Sequence, residues 1–334
     1  MRVRLRSVML AAGCAGIVAA AGCGNGDPRA PLPSVSAQHS FKTTRQDAGQ
    51  SWMSPIAKRS PLLYVSVWNT GVVYVYSYPK GKLLGKLVGI LDAPAGMCSD
   101  GEGNVWITNF HGESLTEYAH GGTKPIATLS DPGTDPNGCS VDPTTGNLAV
   151  TGFLKSINGP SQPGAFEIYK KAKGSPKVYS VPFAVTSFCS YDDKGNLFVD
   201  GQGWGQEPRF ALSELRKGKT SAETIALNQS LYAPGAVQRY GQNLSVGDAA
   251  TNMIYQFAIK AGSGTQVGSV YINFDSGGQM GQFWIDRSRL IVPTYIGPEP
   301  SVRFYTYPGG VGPLKTITGL EGPSGVTISL PPSN

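Results

Sequence analysis

Histidine is nearly missing from this chain: its 334 residues include only His39, His111 and His120. General acid–base chemistry therefore lacks its commonest side chain. The Gly-x-Ser-x-Gly elbow, the phosphate-cradling glycine loop and the His-Glu-x-x-His helix are absent too, which removes the ordinary signatures of serine hydrolases, nucleotide-binding enzymes and zinc proteases. Charge is sparse and scattered, with 15% of residues ionisable as Asp, Glu, Lys or Arg, so it reads as a solvated surface. The longest apolar run, Val8 to Ala21, is too short to span a bilayer as a helix. No stretch sustains a helical period, and the class that remains is all-β.

What is present begins with an address. Arg2, Arg4 and Arg6 precede the small, apolar run to Ala21, the layout of a secretory signal over residues 1–22. Ala20-Ala21-Gly22-Cys23 resembles a bacterial lipobox, which implies lipid attachment at Cys23; an ordinary signal peptide cut nearby is the alternative. Gly24, where an Asp would otherwise stand, resembles lipoproteins sent to the outer membrane or cell surface. Loss of residues 1–22 removes three Arg and no acid and lowers the net charge from +6 to +3, which is no nucleic-acid footprint. Residues 23–60 are rich in Pro, Ser, Ala and Gln and read as a tether, whose end, Ser51 to Pro55, is placed to dock on the globular part. Residues 61–334 form one domain.

Self-similarity organises that domain. One strand recurs at Leu62, Asn104, Asn147, Asn196, Asn243 and Arg289, with spacings of 42, 43, 49, 47 and 46 residues. A second recurs at Val73–Tyr78, Leu115–Ala119, Phe166–Lys170, Phe210–Leu215, Ile254–Ile259 and Arg303–Tyr307, each followed by a glycine turn. Repeats of about 45 residues and four strands match propeller blades. Each later copy opens with a strand such as Pro94-Ala95-Gly96-Met97-Cys98-Ser99; the first lacks it, and the missing piece stands at the other end as Pro323-Ser324-Gly325-Val326-Thr327-Ile328. The expected fold is a six-bladed β-propeller whose C-terminal strand closes the first blade and hides the sheet edges.

The run from Pro94 to Ile107 resembles the repeat of the NHL, regucalcin/gluconolactonase and streptogramin-lyase propellers, and the resemblance spans residues 61–330. It is specific for fold and weak for function, because one scaffold serves hydrolases, lyases and binding platforms. Similarity to the lactonases implies an axial Ca or Zn ion. Glu321-Gly322-Pro323 matches the family's glutamate motif and Pro136-Asn137-Gly138 its asparagine motif, so Glu321 and Asn137 are the ligands this alternative would use. The family's aspartate position is Ala95 here, which cannot hold a cation. The lyases of this group carry seven repeats, against six here. The favoured reading is a non-catalytic binding or scaffolding propeller without a cofactor; a metal-dependent lactonase-like hydrolase is the alternative.

Cys98, Cys139 and Cys189 lie outside the leader, and an odd count cannot pair completely. The expectation is three buried thiols acting as small apolar residues. A Cys139–Cys189 disulfide is the minority reading, since equivalent positions on adjacent blades are expected to lie too far apart.

A ligand is expected at the mouth of the central channel. Loops leaving the second strands carry Trp68, Asn69, Phe110, His111, Phe153, Trp204, Arg209 and Tyr295, and loops entering the next blade carry Asp92, Asp131, Asp135, Asp275 and Glu321. Aromatics around a concavity suit a flat ligand, and the long insertions at residues 152–164 and 201–208 are where specificity would reside. The expected partners are the membrane, through the lipid, and a small molecule, glycan or peptide; no nucleic acid is among them, and the chain is read as a monomer.

Overall fold

In Leu62–Val67 all six residues are buried. Leu62 and Tyr64 pack with Met97, Val105 and Ile107, whereas Leu63, Val65 and Val67 pack with Ile291, Val302 and Phe304. A strand that is apolar on both faces needs a layer on each side. Sheets wedged between two neighbours close into a ring.

The computed structural model describes residues 49–131, 134–154, 163–204, 209–274, 277–310 and 312–332, except for the side chains of Phe153 and Leu154. It is a six-bladed β-propeller. From inner to outer strand, blade 1 is Pro323–Ser329, Leu62–Val67, Val72–Ser77 and Leu83–Leu87. Blade 2 is Pro94–Ser99, Val105–Asn109, Ser114–Tyr118 and Pro125–Ser130, and blade 3 is Thr134–Val141, Leu148–Leu154, Ala165–Tyr169 and Lys177–Ser180. Blade 4 runs Val185–Tyr191, Leu197–Gln202, Phe210–Leu215 and Glu223–Thr224; blade 5 runs Pro234–Tyr240, Asn243–Asp248, Met253–Lys260 and Ser263–Tyr271. Blade 6 has a broken inner strand, Gln279–Met280 and Trp284–Asp286, then Arg289–Ile296, Val302–Thr306 and Lys315–Ile317. Trp52–Met53 adds a short fifth strand to the rim of blade 1, pairing Trp52 with Lys86 and Met53 with Gly85. No helix among the described residues is long and apolar enough to cross a membrane.

The C-terminal strand closes blade 1 as its sequence position predicts, pairing antiparallel with Leu62–Val67 from Leu62–Ser329 to Val67–Pro323. It is pinned to blade 2 as well. Ser99 Oγ donates to the Ile328 carbonyl at 2.7 Å, Ser329 Oγ donates to the Gly103 carbonyl, and His120 Nδ1 lies 2.6 Å from Ser329 Oγ. His120 Nε2 meets the Ser60 carbonyl at 3.1 Å; burial pulls the ring's pKa below its ordinary value.

Around the axis, one slot on the second strand staples consecutive blades. Ser66 Oγ donates to the Ala95 carbonyl of blade 2 and accepts from the Gly325 N–H of its own blade at 2.9 Å. Thr108 Oγ1 reaches the carbonyls of Gly96 at 2.9 Å and Asn137 at 3.3 Å, and Thr151 Oγ1 reaches those of Ser187 at 2.9 Å and Gly138 at 3.3 Å. In blade 4 the slot holds Asp200, which accepts from the N–H groups of Phe188 and Ala236. Inner strands held this closely explain the repeated glycine: a Cβ on Gly96 would run into the Asn137 carbonyl, and one on Gly281 into that of Ser324.

The cysteine expectation is corrected. Cys98 and Cys139 form a disulfide with Cα atoms 5.6 Å apart, while Cys189 is a buried free thiol. The minority pairing of Cys139 with Cys189 is wrong as well. Both sulfurs point back toward the preceding blade, 3.8 Å from the Trp106 carbonyl and 3.9 Å from the Ala149 carbonyl respectively. What Cys139 meets there is Cys98, which pairs with Trp106; the same slot in blade 3 pairs with Ala149 and is Ser140. Cys189 therefore has no sulfur opposite it. In a chain of residues 23–334 carrying Cys23→Ser and folded under oxidising conditions, alkylation in denaturant without reductant is expected to add one label, and three after reduction. Three labels without reductant would remove the bridge.

Candidate functional site

Successive hairpins alternate ends, so the second-to-third-strand loops and the blade-to-blade connections share one face of the ring. On this face Trp68 sits in a one-turn 3-10 segment closed by Gly71 at φ 67°, a conformation that favours glycine. The Trp68 N–H donates to the Gly322 carbonyl at 3.2 Å, and the Phe110 N–H to the Ala93 carbonyl at 3.2 Å. Trp68, Phe110 and His111 from these loops meet Tyr295, which stands at the end of the strand Arg289–Ile296 and not, as expected, in a loop, so four aromatic rings from three blades gather in one place. The Trp68 centroid is 4.6 Å from Phe110, 5.4 Å from His111 and 6.3 Å from Tyr295, and Phe110 and His111 are 5.5 Å apart.

The rings differ in exposure. Phe110 is buried against Ala93 and Ala95, Trp68 and Tyr295 are half-buried, and His111 is exposed. Burial raises the Tyr295 phenol above its usual pKa, so it is a neutral hydroxyl at physiological pH. Asn69 abuts Gly322, where a Cβ would meet its amide. Beneath the rings Asn109 is fully buried, its Nδ2 donating to Thr116 Oγ1 at 2.9 Å and to Ser114 Oγ at 3.2 Å. Its Oδ1 has no protein partner. His111 and Glu113 stand two residues apart in this loop, a spacing that a count of histidines passes over.

The remaining candidates are not gathered here. Trp204, 48% exposed, and half-buried Arg209 flank the blade 4 insertion, of which residues 205–208 lie outside the described residues. The backbone of Phe153 pairs with Asp135 in blade 3, and residues 155–162 of that insertion lie outside the described residues, as does Asp275. Asp92 is exposed. Asp131 is buried among groups of its own: Thr134 Oγ1 donates to it at 2.6 Å, and the Tyr169 hydroxyl meets Asp131 Oδ1 at 3.2 Å and Glu167 Oε2 at 3.4 Å. Burial, and then the hydrogen bond to Asp131, push the Glu167 carboxyl up to about 9. Glu167 thus keeps its proton at neutral pH and hydrogen-bonds to Asp131, tying the entry loop of blade 3 to its third strand.

The axis is filled. The Gln282 side chain crosses from blade 6 to blade 2, accepting the Met97 N–H at 2.8 Å and donating to the Met97 carbonyl at 2.9 Å. Its signal in the sequence is that it alone is polar where the other inner strands carry Met97, Cys139, Cys189, Ala236 and Val326. The oxygens that the lactonase resemblance implies do not fit a cation site. Glu321 is exposed, the Asn137 amide donates to the Ser187 carbonyl at 3.0 Å, and the corresponding side chains of Ala95 and Met280 are apolar and buried. Hard cations need several converging oxygens, and among the described residues no group of three or more His, Cys, Asp or Glu is placed to hold a metal.

No protein-family model matches the sequence, and no curated protein matches it. Solved structures do. A chain of the nidogen/laminin complex superposes with a TM-score of 0.65 at 15% identity, covering 82% of this chain and 100% of that one. A protein of unknown function from Bacteroides caccae gives 0.59 at 11%, covering 81% and 99%, and a functionally unknown protein from Desulfotomaculum acetoxidans DSM 771 gives 0.55 at 12%, covering 81% and 99%. At these identities the likeness is one of fold: the chain is a six-bladed β-propeller similar to them in architecture.

Proposed function

We propose that this protein is an exported lipoprotein, anchored through Cys23 to the outer membrane or cell surface, whose propeller binds a ligand without transforming it. The observation that carries the binding site is the meeting of Trp68, Phe110, His111 and Tyr295 from three blades on one face. Such a cluster offers ring faces and edges with the polar tips of His111, Tyr295 and Asn69 beside them, a combination suited to a flat or amphipathic molecule such as a sugar ring or an aromatic peptide side chain. The Cys98–Cys139 bridge supports export, because disulfides persist in oxidising compartments.

The test is binding to arrays of oligosaccharides and peptides, followed by titration of the best hit. Trp68→Ala and His111→Ala are each expected to weaken it at least tenfold, about 1.4 kcal/mol, with His111→Ala leaving the melting temperature unchanged. Affinity unchanged in both variants removes the site. Palmitate labelling that depends on Cys23 checks the anchor separately.

A further inference from the structure

We infer that the face opposite the aromatic cluster is a docking surface for anionic phospholipid headgroups, which holds the propeller against its membrane with the candidate ligand site turned outward. The inference rests on the anchored reading for its biological setting, and on charge and topology for its substance.

All six third-to-fourth-strand turns lie on this face: residues 78–82, 119–124, 170–176, 216–222, 261–262 and 307–314. Together they hold nine Lys or Arg and no Asp or Glu, two cations in blade 1, one in blade 2 and three each in blades 3 and 4. All nine are exposed. Arg216 is engaged by Glu214 at 3.2 Å and Glu223 at 3.7 Å. The first-to-second-strand turns of the same face add Lys194 and Arg287 and five acids. Three of these acids, Asp100, Asp142 and Asp192, fold back onto the N–H groups of their own turns. The face keeps an excess of six positive charges, and the 3-10 turn Pro55–Arg59 adds exposed Lys58 and Arg59 where it packs on the Gly121 turn.

The aromatic face has the opposite sign. Among the described residues its connections carry Asp92, Glu113, Asp131, Glu299 and Glu321 against Arg209. A mature chain of net charge only +3 is therefore polarised along its axis. Exposed cations gathered on one plane sum their potentials within a Debye length of an anionic surface. Each Lys or Arg near such a surface raises partition roughly fivefold. A lipid chain with a polybasic patch is the two-signal arrangement that makes anchoring stable.

The test uses residues 23–334 with Cys23→Ser, which has no anchor, so failure of the lipid reading leaves the result intact. Sedimentation with vesicles of phosphatidylethanolamine containing about 30 mol% phosphatidylglycerol is expected to pull the protein down at about 50 mM salt, with loss of binding at about 500 mM and no binding to phosphatidylcholine. Lys170→Glu/Lys171→Glu/Lys173→Glu is expected to lower partition on the order of a hundredfold or more, with an unchanged circular dichroism spectrum. Glu299→Lys, on the opposite face, is expected to leave partition unchanged. Equal binding to phosphatidylcholine, insensitivity to the triple reversal, or retention on heparin without vesicle binding would each overturn the inference.

Discussion

Deletion of residues 323–334 is expected to abolish cooperative unfolding, or to lower the melting temperature by more than about 15 °C, because it removes the strand that joins the two ends of the ring. Val326 is fully buried and Ile328 nearly so, and burying each contributes about 1.5–3 kcal/mol. Their removal also uncovers Val65, Ile291 and Phe304, which share their cluster. The sum is comparable to the entire stability of a typical domain, about 5–15 kcal/mol. Leu62–Val67 would become an unpaired apolar edge, a template for aggregation. The pins to blade 2 go with it, since Ser329 carries the contacts to Gly103 and His120. Removing only residues 331–334, beyond the paired strand, is expected to leave the transition in place. A melting curve indifferent to the longer deletion would mean that closure contributes nothing, which the pairing from Leu62–Ser329 to Val67–Pro323 does not allow.

Asp200→Asn is expected to stabilise the protein at neutral and alkaline pH and to flatten one component of its pH dependence. Asp200 is fully buried; its Oδ1 accepts the Phe188 N–H at 2.7 Å and its Oδ2 has no protein partner. Burial raises the carboxyl to about 8, against which the N–H groups of Phe188 and Ala236 work only partly. Below about pH 4 the group is protonated both folded and unfolded and contributes no pH dependence. Between about pH 4 and pH 8 the unfolded chain releases the proton while the folded chain keeps it, so stability falls as pH rises. Above pH 8 the full penalty applies, on the order of 5 kcal/mol. An amide keeps the acceptor oxygen without the charge. The stability of the variant minus that of the wild type, measured by urea denaturation, should grow from near zero at pH 4 to its largest value near pH 8. A flat difference would show that the carboxyl is not strained by its burial.

The blades, their number and their closure were readable from the residue order. The Gly96-type strand could be seen to be missing at Leu62 and present at Pro323, and a ring is the only arrangement that reunites them. The members of the aromatic cluster could be read in the same way: Trp68, Phe110 and Tyr295 stand at equivalent points of their repeats, with His111 next to Phe110. That these four rings touch, while Trp204 and Arg209 belong to a different blade's loop, depends on which blades are neighbours and on how far each loop leans. Repeat alignment carries no information on lean.

The disulfide shows the same limit. Alignment sets Cys139 beside Cys189 because they share a slot, but adjacent blades meet with one strand's forward-facing residue against the next strand's backward-facing one. Unlike slots touch, and Cys98 reaches Cys139. Gln282 and Asp200 were passed over in the sequence, because what each does comes from the fold. A side chain aimed at the axis meets whichever strand converges there, and for Gln282 that is Met97, 185 residues away. Local pattern determined where strands begin, which faces are apolar and how many units repeat, because these follow from alternation, turn chemistry and spacing along the chain. The contact of Gln282 with Met97 and the hydrogen bond of Glu167 to Asp131 were decided only by tertiary structure, because each depends on convergence in space of residues that no periodicity relates. The staples and the lysine-bearing turns recur at equivalent points of the repeat, but which neighbours and which face they meet came from the closure of the ring.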